Sequence, residues 1–85
     1  MIYFYTYVLY SPNFDKIYVG HSDNHIRRLE EHNLGKSIYT KRYIPWELIY
    51  FEKFNTRAEA MKREKQLKSH KGRNFIRKEL INDRK

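Results

Sequence analysis

Residues 16–23 read KIYVGHSD and run directly into residues 24–32, which read NHIRRLEEH. A β-branched and aromatic run ends at Gly20, and a capping residue then begins a helix, so this segment predicts a strand followed at once by a helix. The junction between a strand and the N-terminus of a helix is a common place to hold an anion. Because the helix carries Arg28 and His32 four residues apart on one face, we expect the function to lie at this junction.

The residues before this stretch predict a β-hairpin. Strand-forming residues flank a short turn signal, so we expect strands at 2–10 and 15–21 joined by a turn at 11–14. Pairing Tyr10 with Asp15 across the turn puts Tyr7 directly opposite Tyr18. The two phenol side chains are then expected side by side on the same face of the sheet.

The first helix is expected to begin after Ser22 or Asp23, to continue to about Leu34 and to end at Gly35. Its few apolar residues predict a narrow buried stripe made of Ile26, Leu29 and Leu34. Residues 36–44 are polar, basic and aromatic, which is typical of an exposed connection.

The second half of the chain predicts a third strand at 46–54 and two more helices. Thr56 and Glu59 match a capping box, so a helix should run from there to about Ser69. Gly72 then predicts a break before a last helix, whose apolar face comprises Phe75, Ile76 and Leu80. The order β-β-α-β-α-α predicts one α+β domain over residues 1–85, with a small three-stranded antiparallel sheet flanked by helices.

Composition excludes several classes of protein. The chain of 85 residues has no cysteine, which excludes disulfides and Cys-ligated zinc sites. No apolar run approaches the ~20 residues that span a bilayer, and the apolar N-terminus lacks the basic flank and cleavage site of a signal peptide. We therefore expect a soluble, cytoplasmic protein that does not bind membranes.

The basic residues are concentrated in the C-terminal third of the chain. Residues 1–56 carry a net charge of +1, whereas residues 57–85 carry +7. Such asymmetry favours a polyanionic partner, most simply nucleic acid. A lysine-rich helix face that is merely solvated explains the charge equally well.

Glu64 is the most informative single residue. On the helix that begins after Thr56, it falls where a stripe of Ala58, Met61 and Leu67 should continue, so the carboxylate is expected to face inward. A buried carboxylate needs an arginine, a metal ion or hydrogen-bond donors as partners. The alternative is a boundary residue in a structural ion pair with a lysine.

The other candidate residues have equally ordinary alternatives. Arg28 and His32 could clamp a phosphate, or could belong to an exposed basic face paired with neighbouring glutamates. Tyr7 and Tyr18 could be sheet aromatics of the core. A phenol becomes a useful base only where nearby cations favour the phenolate, or where it passes a proton along a chain.

Together these residues resemble the GIY-YIG nuclease superfamily. The resemblance rests on the tripeptides at 5–7 (YTY) and 18–20 (YVG), followed by Arg28, His32 and Glu64. Three further segments are similar to the small stand-alone bacterial (UPF0213-like) members, namely 28–36, 45–50 and 58–64. The resemblance covers about residues 3–82.

The sequence also departs from the superfamily pattern. Tyr5 and Thr6 replace the glycine and isoleucine of the first tripeptide, and Val19 replaces the isoleucine of the second. The late asparagine of the superfamily could correspond to Asn74 or Asn82, but neither lies in a clear motif.

The resemblance implies hydrolysis of DNA phosphodiester bonds with one divalent ion, Mg²⁺ or Mn²⁺, and no small-molecule cofactor. Glu64 would hold the metal, Arg28 would stabilise charge in the transition state, and Tyr7 would help to activate water. Tyr18 and His32 would position that water or accept its proton. Basic residues would hold the DNA backbone without reading its sequence, namely Lys36, Lys41, Arg42, Lys62, Arg63, Lys65, Lys68, Lys71 and Arg73. A protein partner could supply specificity for a branched or damaged substrate in repair or recombination.

Two rival hypotheses belong to other classes. The first is a nucleic-acid-binding module that keeps the scaffold without significant cleavage. The second is a small structural or partner-binding domain with a solvated basic surface. The intact set of Tyr7, Tyr18, Arg28 and Glu64 favours the enzyme, because a pure binder has no need for an inward carboxylate beside a phosphate site.

Overall fold

A computed structural model describes residues 2–82, which form a three-stranded antiparallel sheet with helices packed on both faces. The strands lie in the order β2-β1-β3. In chain order the elements are β1 (Phe4–Ser11), β2 (Lys16–Ser22), α1 (His25–Asn33), a 3₁₀ turn (Thr40–Tyr43), β3 (Glu47–Phe54), α2 (Arg57–Lys68), α3 (His70–Phe75) and a π-helical continuation of α3 (Ile76–Ile81). The predicted α+β architecture and element order are confirmed. Within residues 2–82, no helix is both long and apolar enough to cross a membrane.

The predicted register of the hairpin is wrong by two residues. Ser11 pairs with Lys16, so Tyr7 lies opposite Gly20 and Tyr18 lies opposite Leu9. The reason is that Asp15 has φ 54°, a left-handed conformation that aspartate tolerates in turns, and it therefore belongs to the loop. Because a shift of two residues preserves the face of a strand, Tyr7 and Tyr18 still share one face, as diagonal neighbours with ring centroids 6.3 Å apart.

The sheet separates two clusters of buried side chains. On one face, Val8, Tyr10 and Val19 pack against Leu67 of α2 and against Ile76 and Ile81 of the π-helical continuation. On the other face, Tyr7 and Leu9 pack with Trp46 and with partly buried residues that include Leu29 of α1. Side chains of successive β1 residues therefore point alternately into the two buried clusters, as expected for a central strand.

Helix α1 differs from its prediction at its start and on its buried face. Its N-cap is Asn24, whose side chain accepts a hydrogen bond from the Arg27 backbone N–H at 3.0 Å. Ser22 is not the N-cap but stabilises the turn before it, since its hydroxyl accepts a hydrogen bond from the Asn24 backbone N–H. The predicted end is confirmed by Gly35, which has φ 81°.

The inward stripe of α1 contains histidines in place of the predicted apolar residues. Ile26 and Leu34 are 51% and 72% exposed, whereas His25 and His32 are buried on either side of the half-buried Leu29. The prediction is therefore confirmed for Leu29 and wrong for Ile26 and Leu34, because imidazole rings packed among aromatic residues occupy the remaining inward positions. His25 lies between Tyr5 and Phe51, with ring centroids 4.3 and 4.4 Å away.

Of the two helices on the other face, α2 begins as predicted and α3 does not. The capping box of Thr56 and Glu59 is confirmed, and α2 ends at Lys68. The break predicted at Gly72 is wrong, because the chain turns at the extended residue Ser69 and Gly72 lies inside α3. Gly72 instead permits a close approach of two helices, since a Cβ there would overlap the backbone of Gln66 and Leu67.

Candidate active site

The phenol of Tyr7 lies across Gly20 of the edge strand β2. A Cβ placed on Gly20 would lie 2.7 Å from the Tyr7 hydroxyl oxygen and 3.1 Å from the Tyr18 ring. Glycine is therefore required here by the space that the two phenols occupy. The close approach fixes the Tyr7 hydroxyl over the outermost strand, next to the helix that follows β2.

The imidazole of His32, on α1, lies within hydrogen-bond distance of the Tyr7 hydroxyl. The Tyr7 oxygen is 3.3 Å from His32 Nε2, and the Tyr18 ring lies 4.7 Å from the imidazole by centroid. On its other side, His32 Nδ1 is 2.7 Å from the hydroxyl oxygen of Thr40. Since the Trp46 indole N–H donates to the Thr40 carbonyl at 2.8 Å, the imidazole is held through Thr40 by the buried indole.

Burial decides the protonation states of this pair. Burial raises the pKa of Tyr7 to about 12, against the lowering effect of Arg28. Burial also lowers the pKa of His32 to about 4, aided by the Arg28 charge and opposed by Glu31. At neutral pH the phenol is therefore protonated and the imidazole is neutral, which suits a proton relay from Tyr7 to His32 and excludes a resting phenolate.

Arg28 brings a guanidinium to the same hydroxyl. The side chain of Arg28 interacts with Tyr7 and is oriented from behind by Glu31, whose carboxylate lies 2.5 Å from Arg28 Nη1. The Glu31 carboxylate raises the pKa of Arg28, so the guanidinium is positively charged at any relevant pH. The predicted ion pair of Arg28 with a neighbouring glutamate is confirmed, whereas its role as a phosphate clamp stays a prediction.

Glu64 faces inward, as predicted, but the stripe that carries it differs from the predicted one. The buried residues of α2 are Ala60 and Leu67, and Glu64 lies between them at a spacing of four and three residues. Ala58 is exposed and Met61 is 50% exposed, so neither belongs to the inward face. The direction predicted for Glu64 was right because Leu67 belongs to both the predicted and the observed inward stripe.

The Glu64 carboxylate has two direct partners, His21 and Lys68. His21 Nδ1 lies 2.5 Å from one oxygen, and the Lys68 ammonium lies 2.5 Å from the other. Partial burial acts to raise the pKa of Glu64, but Lys68 and His21 outweigh that effect, so the pKa lies below its usual value. The side chain is only 18% exposed and carries a negative charge that attracts cations.

The glutamate and the two phenols approach one another around the edge of the sheet. Val19 and His21 face α2, whereas Tyr18 and Gly20 face α1, because side chains alternate along β2. The charge on Glu64 still raises the pKa of Tyr7, opposing Arg28. The structure therefore brings Tyr7, Tyr18 and His32 together as one cluster, and the charges of Arg28 and Glu64 both act on the Tyr7 hydroxyl.

Two residues at the site were missed by sequence reasoning. His21 contacts Glu64, and alternation from Val19 would have placed it on the face of β2 that meets α2. Thr40 is fully buried, although the segment 36–44 was predicted to be an exposed connection. No local signal marks Thr40, because its burial depends on the tertiary contacts of His32 and Trp46.

The predicted nucleic-acid-binding residues fall on two segments. Arg63 and Lys68 are engaged in ion pairs with Glu52 and Glu64, at 2.8 and 2.5 Å. The others are exposed on the 36–42 connection and on α2 and α3, namely Lys36, Lys41, Arg42, Lys62, Lys65, Lys71 and Arg73. Several of them line a groove of about 770 Å³ along α2 and α3. Asn74 and Asn82 are exposed and stay without an assigned role.

The carboxyl and imidazole groups of residues 2–82 form no cluster of three or more that could hold a metal ion. Glu64 provides one carboxylate, with the His21 imidazole beside it. This set fits a Mg²⁺-type ion, which commonly takes one or two carboxylates and completes its shell with waters and substrate phosphate. The Lys68 ammonium shows that the carboxylate already attracts a cation.

The fold is a small α+β domain whose polar groups gather at the β2 edge. A family model described as the GIY-YIG catalytic domain matches residues 3–79, and the chain therefore belongs to the GIY-YIG family. This domain supports nuclease activity in general, and nucleases that contain it generally use divalent metal ions.

The relatives of this chain are UPF0213 proteins. One from Haloquadratum walsbyi is 36% identical over 69 residues, which cover 80% of this chain and 76% of the relative. One from Pediococcus pentosaceus is 44% identical over 66 residues, which cover 76% and 68%. The solution NMR structure of a UPF0213 protein from Bacillus halodurans aligns with a TM-score of 0.52 and 27% identity, over 88% of this chain and 82% of that one. The predicted resemblance is confirmed.

Proposed function

We propose that this protein is a metal-dependent endonuclease that hydrolyses phosphodiester bonds in DNA, in the cytoplasm. The observation that carries the proposal is the placement of the Tyr7 hydroxyl over Gly20, within hydrogen-bond distance of His32 and within range of the Arg28 and Glu64 charges. A purely structural domain has no need to hold a phenol, an imidazole, a guanidinium and a carboxylate around one edge of a sheet.

Tyr7 and His32 would move the proton of the attacking water. The phenol gives its proton to His32 Nε2, 3.3 Å away, while it accepts one from the water, so a free phenolate never needs to form. The imidazole is unprotonated and has a free acceptor nitrogen, because burial lowers the pKa of His32 to about 4, and the same burial makes it a weak base. Tyr18 packs against the same imidazole and restricts its orientation.

Arg28 would stabilise the negative charge that grows on the phosphate as water attacks and the leaving oxygen departs. Its guanidinium can offer two parallel donors to phosphate oxygens, which a lysine cannot. Glu31 holds the side chain in position before substrate binds, and this preorganisation increases the benefit in the transition state.

Glu64 would hold the divalent ion, Mg²⁺ or Mn²⁺, with His21 next to it. When bound, the ion polarises the scissile phosphate and neutralises the leaving oxygen. Lys68 would then exchange its ion pair with Glu64 for a DNA phosphate. The exposed lysines and arginines of α2 and α3 would bind the DNA backbone, so affinity should fall steeply with salt.

A nicking assay on supercoiled DNA, with branched DNA in parallel, tests this proposal. Wild type should nick DNA only when Mg²⁺ or Mn²⁺ is present, and Glu64→Ala should bind DNA without nicking it. Glu79→Gln is the matched control, because Glu79 is an exposed acid on the π-helical turn, and it should nick like wild type. Equal nicking by wild type and Glu64→Ala would reject the assignment.

A nucleic-acid-binding module without cleavage is the second candidate. It is favoured by one observation, namely that both Glu64 oxygens are already engaged by His21 and Lys68. Salt-sensitive DNA binding with no nicks, on any substrate and with either metal ion, would support this candidate over the enzyme.

A further inference from the structure

A small cleft next to the candidate active site is not used by the chemistry proposed above. It has a volume of about 220 Å³ and lies between the edge strand β2 and the connection before β3. Its lining residues are Ile17, Tyr18, Val19, Tyr39, Lys68 and Arg73. Two of these, Tyr18 and Lys68, also contact the site itself, through His32 and Glu64. The cleft therefore adjoins both the imidazole of His32 and the carboxylate of Glu64.

Tyr39 presents an aromatic surface to this cleft. Its side chain is 47% exposed, although the ring is held by Tyr18 at 6.5 Å and 29° and by Tyr43 at 5.4 Å. An exposed aromatic ring that is fixed by its neighbours loses little entropy when a second planar ring stacks on it. Ordinary core packing does not explain a ring that stays half exposed at the opening of a cleft.

The charges of the cleft complement a nucleotide. Lys68 of α2 and Arg73 of α3 line the same cleft as the Tyr39 ring. A nucleotide offers the same combination, because its base has an apolar π face and its phosphate carries negative charge. A volume of about 220 Å³ lies below the ~300 Å³ at which pockets for drug-sized ligands begin, so the cleft suits one base and not a base pair.

We propose that this cleft is a subsite for one unstacked nucleobase of the substrate, with the base on Tyr39 and the adjoining phosphate on Lys68 and Arg73. The base belongs to the nucleotide next to the scissile phosphate, since Tyr18 is shared by the cleft and the site. A fully paired duplex cannot fill the subsite, whereas a single strand, a frayed end or a flap can. This inference rests on the proposed nuclease function.

Binding assays on a cleavage-deficient background test the subsite. Glu64→Gln is combined with Tyr39→Ala, Tyr39→Phe or Phe51→Ala, and fluorescence anisotropy measures the affinity for a labelled 12-nucleotide single strand and for its duplex. Phe51 is the matched control, because it is 49% exposed and lies on β3, the other edge of the sheet. Tyr39→Ala should weaken single-strand binding by about tenfold, Tyr39→Phe and Phe51→Ala by less than about twofold, and duplex binding should not change.

A second readout separates the subsite from general loss of binding. A single abasic position placed at the cut should weaken binding to the protein with Tyr39 intact, and should have no further effect on Tyr39→Ala. Equal affinities of all variants for the single strand, while wild type still nicks DNA, would overturn the subsite and leave the nuclease intact. Absence of both binding and nicking would overturn both proposals.

Discussion

Acidification from pH 7 to pH 5 should destabilise this protein, mainly through His32. Because burial lowers the pKa of His32 to about 4, the unfolded chain binds more protons than the folded one wherever the pH lies below the ordinary histidine value of 6.5. The contribution of His32 is therefore fully present above about pH 7 and is lost progressively as the pH falls towards 4. Linkage gives a loss of about 2 kcal/mol by pH 5 and about 3 kcal/mol by pH 4.

That loss is large for a chain of 85 residues, whose total stability is expected to be about 4–13 kcal/mol. Burial also lowers the pKa of His25, which adds a loss in the same direction. The comparison of wild type with His32→Gln removes this second contribution, because His25 is present in both proteins. The variant should start less stable at pH 7 and should lose about 2 kcal/mol less than wild type between pH 7 and 5.

Urea unfolding at pH 5, 6 and 7 measures this difference. Trp46 is the one tryptophan and is 3% exposed, so its fluorescence reports loss of the core next to His32. Wild type and His32→Gln with parallel pH dependence would refute the reasoning, because His32 would then not be buried as a neutral imidazole.

Three further substitutions test other parts of the structure. Gly20→Ala places a Cβ 2.7 Å from the Tyr7 hydroxyl oxygen, so single-turnover nicking should fall by about 100-fold and urea unfolding should show a loss of about 1–3 kcal/mol. Thr56→Ala removes the capping hydrogen bond of α2 and should cost about 1 kcal/mol in urea unfolding, with nicking by the folded protein unchanged. Arg28→Lys keeps the charge but loses the two-donor geometry, so nicking should fall by about 100-fold or more while anisotropy shows DNA affinity within about twofold of wild type.

Local signals were sufficient for the order of the elements. The capping box at Thr56 and the left-handed Gly35 mark helix ends through backbone chemistry that neighbouring residues fully determine. The placement of Tyr7 and Tyr18 on one face of the sheet was also predictable, because side chains alternate with a period of two. The register itself was not, since it depended on the left-handed conformation of Asp15.

The environment of the site depended on contacts that are distant in sequence. His21 meets Glu64 across 43 positions, and Thr6 of β1 donates to the Ala60 carbonyl of α2 across 54 positions. The buried position of Thr40 follows from its contacts with His32 and Trp46. Sequence patterning therefore identified the candidate residues, whereas their protonation states required the packing.

The buried face of α1 likewise depends on tertiary packing more than on local sequence. Aliphatic periodicity selected Ile26 and Leu34, but the sheet face that α1 covers is lined with aromatic rings and accepts imidazoles instead. A histidine can pack as a planar ring while its nitrogens bond to Tyr7 and Thr40. A hydrophobicity scale scores only the polarity of such a residue and so misses its burial.

The most direct test of the account is a crystal soaked with Mn²⁺ and a short oligonucleotide, using Tyr7→Phe to slow cleavage. Anomalous scattering should show one Mn²⁺ within bonding distance of a Glu64 carboxylate oxygen, with Lys68 displaced and a phosphate between the ion and Arg28. A phosphate bound at Arg28 with no anomalous peak at Glu64 would contradict the account, because the carboxylate would then serve only its ion pair with Lys68.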